Sequence, residues 1–133
     1  MLCKDQPRLR ECTLLALRVV AGAMFLMHGA GKLFGESSAE VASLLWVAGV
    51  LEFVGGALVA AGLWTRPVAF LISGQMAVAY FKAHAPRGFS PLENGGELAV
   101  LYCFLWLFLF ANGAGQYSLD GWLACRRSES EAG

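Results

Sequence analysis

Residues 44–64 read LLWVAGVLEFVGGALVAAGLW, and the fold follows from them. The stretch is apolar on every side, so a helix built from it has no face that water could solvate. At about 1.5 Å of rise per residue it is long enough to cross the hydrocarbon layer of a bilayer. Glu52 stands at its centre, with Gly49 one turn before and Gly55-Gly56 one turn after. A charge at membrane depth costs roughly 2.5–3.5 kcal/mol to insert, so it faces a bundle interior and a partner. Small residues one turn to either side let that partner helix approach closely.

Working outward, three further apolar stretches run Thr13–Phe34, Val68–Phe81 and Leu98–Asn112. Together the four predict an all-α, polytopic membrane protein, a bundle of four transmembrane helices. Composition agrees: 57% of the residues are hydrophobic and 15% charged, against roughly 45–50% and 25% in soluble domains. At 133 residues there is room for one domain. Its expected parts are an N-terminal cytoplasmic tail over 1–12, a membrane domain over 13–123 and a polar tail over 124–133. Pro7 is expected to keep the first helix from starting earlier, and Arg126–Gly133 to lack regular structure. Thr65 is placed to cap the third helix, with Pro67 in its first turn. Pro86–Gly96 is the longest connection.

Several classes are excluded. The formal net charge is zero, and no basic patch interleaved with aromatics marks a nucleic-acid surface. Lys4, Arg8 and Arg10 before the first stretch imitate a signal peptide, but Arg18 interrupts its core and three spans follow. The four cysteines, Cys3, Cys12, Cys103 and Cys125, form no C-x-x-C and no zinc spacing. No phosphate loop, nucleophile elbow or Cys-His arrangement is present, and no motif supports a metal.

Four spans put both termini and the Thr65–Pro67 turn on one side. That side carries Lys4, Arg8, Arg10, Arg66, Arg126 and Arg127, the other only Lys32, Lys82 and Arg87. The positive-inside rule then makes the termini cytoplasmic. On that side Cys3, Cys12 and Cys125 stay reduced.

The intramembrane polar residues are the candidate site. Helical rise places His28 and Glu52 at matching depth a few ångströms above the midplane, with Gln75 near it. Lys32, Lys82, His84 and Glu97 lie roughly 9–14 Å up on the same arithmetic. His28 and Glu52 are expected to face each other as a proton relay, with Lys32, His84 and Glu97 as further ligand-binding candidates. Each has a plainer reading too. Glu52 can be a packing hydrogen bond, Lys32 a snorkelling interface residue, and Glu97 a first-turn acid suited to the helix dipole.

The stretches LRVVAGAMFLMHGAGKLFG (17–35), LEFVGGALVAAGLWTRP (51–67), AVAYFKAHAPRGFSPLENGGELAVLYCFLWLFLF (77–110) and GQYSLD (115–120) resemble the DoxX family of small bacterial membrane proteins. The likeness runs from Leu14 to Leu123. It implies a bacterial inner-membrane bundle, surrounded by lipid and assembled with other subunits or with copies of itself. It also implies work beside quinone-linked oxidation, as in thiosulfate:quinone oxidoreductase, or in oxidative-stress complexes. In that reading His28 and Lys32 belong to the first motif, Glu52 to the second, and His84, Glu93, Asn94 and Glu97 to the third. No redox centre is encoded; a quinone is the cofactor implied. The leading expectation is therefore a redox-complex subunit handling a quinone or a thiol. A scaffold for soluble oxidative-stress enzymes and a small-solute or proton transporter are the alternatives.

Overall fold

The computed structural model describes residues 6–36 and 38–131, and all regular structure among them is helical. The helices are α1 (Gln6–Phe34), α2 (Leu44–Ala61), α3 (Thr65–Ala79), α4 (Pro91–Asn94), α5 (Glu97–Asn112) and α6 (Leu119–Glu131). A π-helical segment, Tyr80–His84, continues α3 and passes into a 3-10 turn, Ala85–Arg87.

The small residues explain the tightest contact. A Cβ on Gly22 would lie 2.6 Å from the Gly56 carbonyl, and one on Gly29 would lie 2.6 Å from the Gly49 carbonyl. Two glycines on each helix thus let α1 and α2 run antiparallel with their backbones touching. The partner that the glycines around Glu52 anticipate is α1. On the other flank α3 runs antiparallel to α5: Ser73 Oγ donates to the Cys103 carbonyl at 2.8 Å, and the Phe70 and Phe110 rings lie 5.3 Å apart. Phe25 of α1 ties the two pairs together, meeting Tyr102 and Trp106 edge-on at 4.9 Å each. Val59, Ala69, Ile72 and Leu109 complete a core closed to solvent.

The outward faces stay apolar. Val20, Met27, Val54, Phe70, Leu101 and Phe104 are among many large hydrophobic residues that point away from the bundle. α1 and α2 are long and apolar enough to cross a membrane, and α5 is a shorter apolar helix.

Three expectations change. α1 begins at Gln6, not Thr13, because a proline in the first turn removes an N–H that has no intrahelical acceptor anyway. Residues 1–5 of the expected tail, Cys3 and Lys4 included, lie outside the described residues. The expected unstructured C-terminus is helical as far as Glu131; one turn apart, Arg126 stacks 4.3 Å over the Trp122 ring. Thr65 does not cap α3. The cap comes from 55 residues away, where Asp120 accepts the Trp64 N–H at 3.1 Å and the Thr65 N–H at 3.2 Å.

Candidate functional site: a buried ion pair beside an apolar cavity

Lys32 Nζ lies 2.5 Å from Glu52 Oε1 and 2.7 Å from Oε2, and Gln75 Nε2 donates to Oε1 at 2.6 Å. Three helices supply the three residues. Gly49 makes the reach possible. A side chain there would begin 3.0 Å from Lys32 Cβ, so its absence lets the lysine stem cross to the carboxylate one turn along α2. The Glu52 side chain is 3% exposed and that of Lys32 30%. A carboxylate buried so deeply is tolerated because short charge-assisted bonds replace its hydration.

A cavity of about 480 Å³ adjoins this triad, lined by residues of α2, α3 and the π-helical segment together with Lys32 of α1. Leu44, Leu45, Leu51, Leu71 and Met76 are among its apolar lining, and Lys32, Glu52 and Gln75 form a polar patch in it. The π-helical segment brings Lys82 and Ala83 to the rim. An apolar hollow with a few convergent polar groups is the usual form of a small-molecule site.

The structure distributes the other candidates differently. His28 is exposed on α1, its ring 6.2 Å edge-on from Phe25, and no hydrogen bond joins it to Glu52. The expected His28–Glu52 pair is replaced by Lys32–Glu52. Matching depth fixed the height of His28 but not its direction around the helix, and its side chain leaves at the edge of the buried stripe. His84 is half-buried and stacks on Tyr80, with Nδ1 3.2 Å from the Asn94 carbonyl. Glu97 is exposed at the first position of α5 and does not line the cavity. Buried Asn94 organises the loop instead: its amide donates to the Gly88 carbonyl and to the Tyr80 hydroxyl, and its Oδ1 accepts the Gly96 N–H at 2.8 Å.

A second polar cluster, at the end of the bundle where α6 begins, has no counterpart in the sequence expectations. The Arg18 guanidinium is 1% exposed and donates to the carbonyls of Ala114 and Tyr117 at 2.6 and 2.7 Å. Buried Glu11 accepts the Gln116 N–H at 2.6 Å. Gly62, in the left-handed region, leaves room for Arg18; a Cβ there would lie 2.8 Å from the guanidinium carbon. The GQYSLD stretch is thus held by α1 at Glu11 and Arg18 and itself holds the start of α3 through Asp120. The available signal was Arg18 as the one basic residue below the midplane. Nothing local pointed to its acceptors, which are backbone groups almost a hundred positions away.

The sequence of this bundle matches the DoxX family model over residues 13–85, a span that contains Lys32, Glu52, Gln75 and His84. This chain belongs to the DoxX family. A Haemophilus influenzae protein described as "Uncharacterized protein" is 44% identical over 121 residues, covering 84% of this chain and 90% of that one. A second protein of that organism, with the same description, is 30% identical over 132 residues, covering 89% and 87%. No solved structure matches. The DoxX family is membrane-associated, in keeping with the apolar helices of this member.

Proposed function

We propose that this DoxX protein is a four-span inner-membrane subunit of a redox complex that holds a quinone-class ring in the cavity between α2 and α3. The observation that carries the reading is the junction of the Lys32–Glu52–Gln75 patch with an apolar hollow of about 480 Å³. An apolar ring suits the leucine walls, Lys32 is placed to donate to a ring oxygen, and Glu52 to accept a proton from one. The chain contributes binding and proton handling; electrons come from a partner subunit. His84 and Glu97 are left outside this role, and His28 has none at the polar patch.

The topology in this proposal has α1, α2, α3 with its π-helical extension, and α5 as the spans. The 15 residues of α3 and the 5 that continue it supply about one bilayer crossing. The 16 residues of α5 reach roughly 24 Å, slightly short, which local thinning of the bilayer accommodates. Six basic residues against three place the termini in the cytoplasm and Pro86–Gly96 outside.

Two measurements test this. A single cysteine at Ser90, with the native cysteines replaced, labels from outside intact cells only; labelling from the cytoplasmic side alone reverses the topology. The full chain purified from its native membranes is expected to retain a quinone in its lipid extract, seen by mass spectrometry, and Glu52→Leu to lose it. Retention of a stoichiometric soluble protein with no quinone overturns the redox reading and favours the scaffold.

A further inference from the structure

Apart from the cavity beside Lys32, a hollow of about 300 Å³ lies between α1 and α5. It follows α1 from Leu9 to Leu17, about 12 Å along the helix axis. Leu9, Leu14, Leu17 and Phe108 give it an apolar lining, to which Arg10 and Asn112 add polar groups. Thr13, also in the lining, donates its hydroxyl to the Leu9 carbonyl of its own helix at 2.8 Å. Leu9, Thr13 and Phe108 are exposed, so the hollow opens on the outer face of the bundle. In a membrane-associated protein that face meets acyl chains.

Positive charge gathers where α1 begins and α5 ends. Arg10 Nη2 donates to Asn112 Oδ1 at 3.1 Å. On the neighbouring Gly113 a Cβ would lie 3.0 Å from Arg66 Nε, so the Arg66 side chain runs alongside that backbone. Asn112 and Gly113 thus each adjoin a guanidinium. Neither is fully neutralised. Glu11 reaches Arg10 at 3.3 Å and gives its other oxygen to the Gln116 N–H. Asp120 is occupied by the Trp64 and Thr65 N–H groups, and Arg66 has no ion-pair partner among the described residues.

A separate feature marks the level of this end. Trp64 and Trp122 are both exposed, and both adjoin Asp120, one by a hydrogen bond and the other by sequence. Exposed tryptophans collect where headgroups meet hydrocarbon. Arg10 and Arg66 therefore stand at the height of lipid phosphates, and the hollow runs from there toward the middle of the bilayer.

We propose that the hollow between α1 and α5 binds an anionic phospholipid, its phosphate on Arg10 and Arg66 and one acyl chain along Leu9–Leu17. Basic pockets between helices at headgroup level are a known form of lipid site, and the planar guanidinium fork matches phosphate oxygens. A zwitterionic lipid brings the same chain together with a cation that the arginines repel. A free phosphate brings the charge and leaves the apolar lining uncovered. The site shares no residue with the Lys32–Glu52–Gln75 patch and does not depend on the redox reading.

The test uses the full chain, purified in detergent and stripped of lipid, with phosphatidylglycerol and phosphatidylcholine of identical acyl chains as probes. Native mass spectrometry is expected to show phosphatidylglycerol bound about thirtyfold tighter, the effect of two arginines close to an anionic phosphate. Combining Arg10→Gln with Arg66→Gln is expected to bring the two affinities together. Thr13→Phe, which fills the hollow and keeps both charges, is expected to weaken both lipids. Equal binding of the two lipids to the native protein overturns the proposal, since the contact is then an unselective lipid annulus. So does a preference that survives in the arginine double variant. Displacement of the lipid by an equal concentration of glycerol 3-phosphate overturns it in favour of a soluble phosphate. Where a variant fails to assemble, a photoreactive phosphatidylglycerol decides on the native chain. Labelling is expected between Leu9 and Leu17 and at Phe108; labelling confined to other surfaces overturns the site.

Discussion

Arg18 and Lys32 stand on the same helix, roughly 21 Å apart along its axis, and bury their charges by opposite means. Arg18 bonds to the backbone: carbonyls of Ala114 and Tyr117 fix two of its nitrogens, while Glu11 and Asp120 nearby take the N–H groups of Gln116, Trp64 and Thr65. Lys32 bonds to side chains, through Glu52 to Gln75. A charge spent on backbone groups fixes where the chain runs, since those groups cannot turn away without moving the loop. A charge spent on other side chains beside a hollow can be re-paired by a ligand without moving any helix. The surroundings agree. The 480 Å³ cavity adjoins Lys32, whereas a second hollow, about 300 Å³ between α1 and α5, is lined by residues that include Leu9, Arg10, Thr13 and Phe108 and does not reach Arg18.

The largest effect is expected at Arg18. Arg18→Leu keeps the apolar stem but leaves the buried Ala114 carbonyl and the half-buried Tyr117 carbonyl without their donor, at about 1–3 kcal/mol for a buried group, and frees the loop that carries Asp120. A loss of about 3 kcal/mol or more follows, read as a lowered thermal midpoint in detergent. Arg18→Lys should recover only part of it, because a single ammonium lacks the planar fork that spans two acceptors. A midpoint for Arg18→Leu close to that of the native protein would break the contrast, leaving the two clusters energetically alike.

A smaller and differently shaped effect is expected at the other cluster. Glu52→Gln leaves the Lys32 ammonium without its counter-charge, and Lys32→Met leaves a carboxylate 2% exposed. Each single change should destabilise by about 2–3 kcal/mol, and the double change by less than their sum. Unfolding midpoints of the four proteins close that cycle. Strict additivity would mean that the pair is not coupled, and the polar patch would then be two independent residues at one depth. Activity should separate from stability here: the double variant folds and does not work, while Arg18 variants lose activity only in step with their lost stability.

The helices were legible because hydropathy is a local property. Glu52 and Lys32 were legible as charges inside apolar stretches for the same reason, and the glycines at 49 and 56 announced a close neighbour. Their pairing was not, since depth along an axis says nothing of direction around it, and His28 took the place that belongs to Lys32. Gln75 stood out only for its height. The Arg18 cluster was hidden more thoroughly: its acceptors are carbonyls, which every residue has and no composition reveals. α6 was missed because its exposed, polar residues resemble a tail; an arginine one turn after a tryptophan was the available sign of a helix.

The smallest expected effect sharpens the contrast at one helix end. Asp120 caps α3 from across the fold, whereas Thr65, the residue that the local pattern favours, has a buried hydroxyl with no partner among the described residues. Asp120→Ala should therefore cost about 1 kcal/mol, the usual worth of an N-cap, and should speed hydrogen exchange at Trp64 and Thr65 in particular. Thr65→Val keeps the shape and removes only the orphan hydroxyl, so it should be neutral or slightly stabilising. The two variants are compared by thermal midpoint and by exchange at the first turn of α3. If Thr65→Val loosens that turn and Asp120→Ala does not, the cap is local after all. The end of the bundle near Arg18 would then be held by fewer long-range bonds than the geometry indicates.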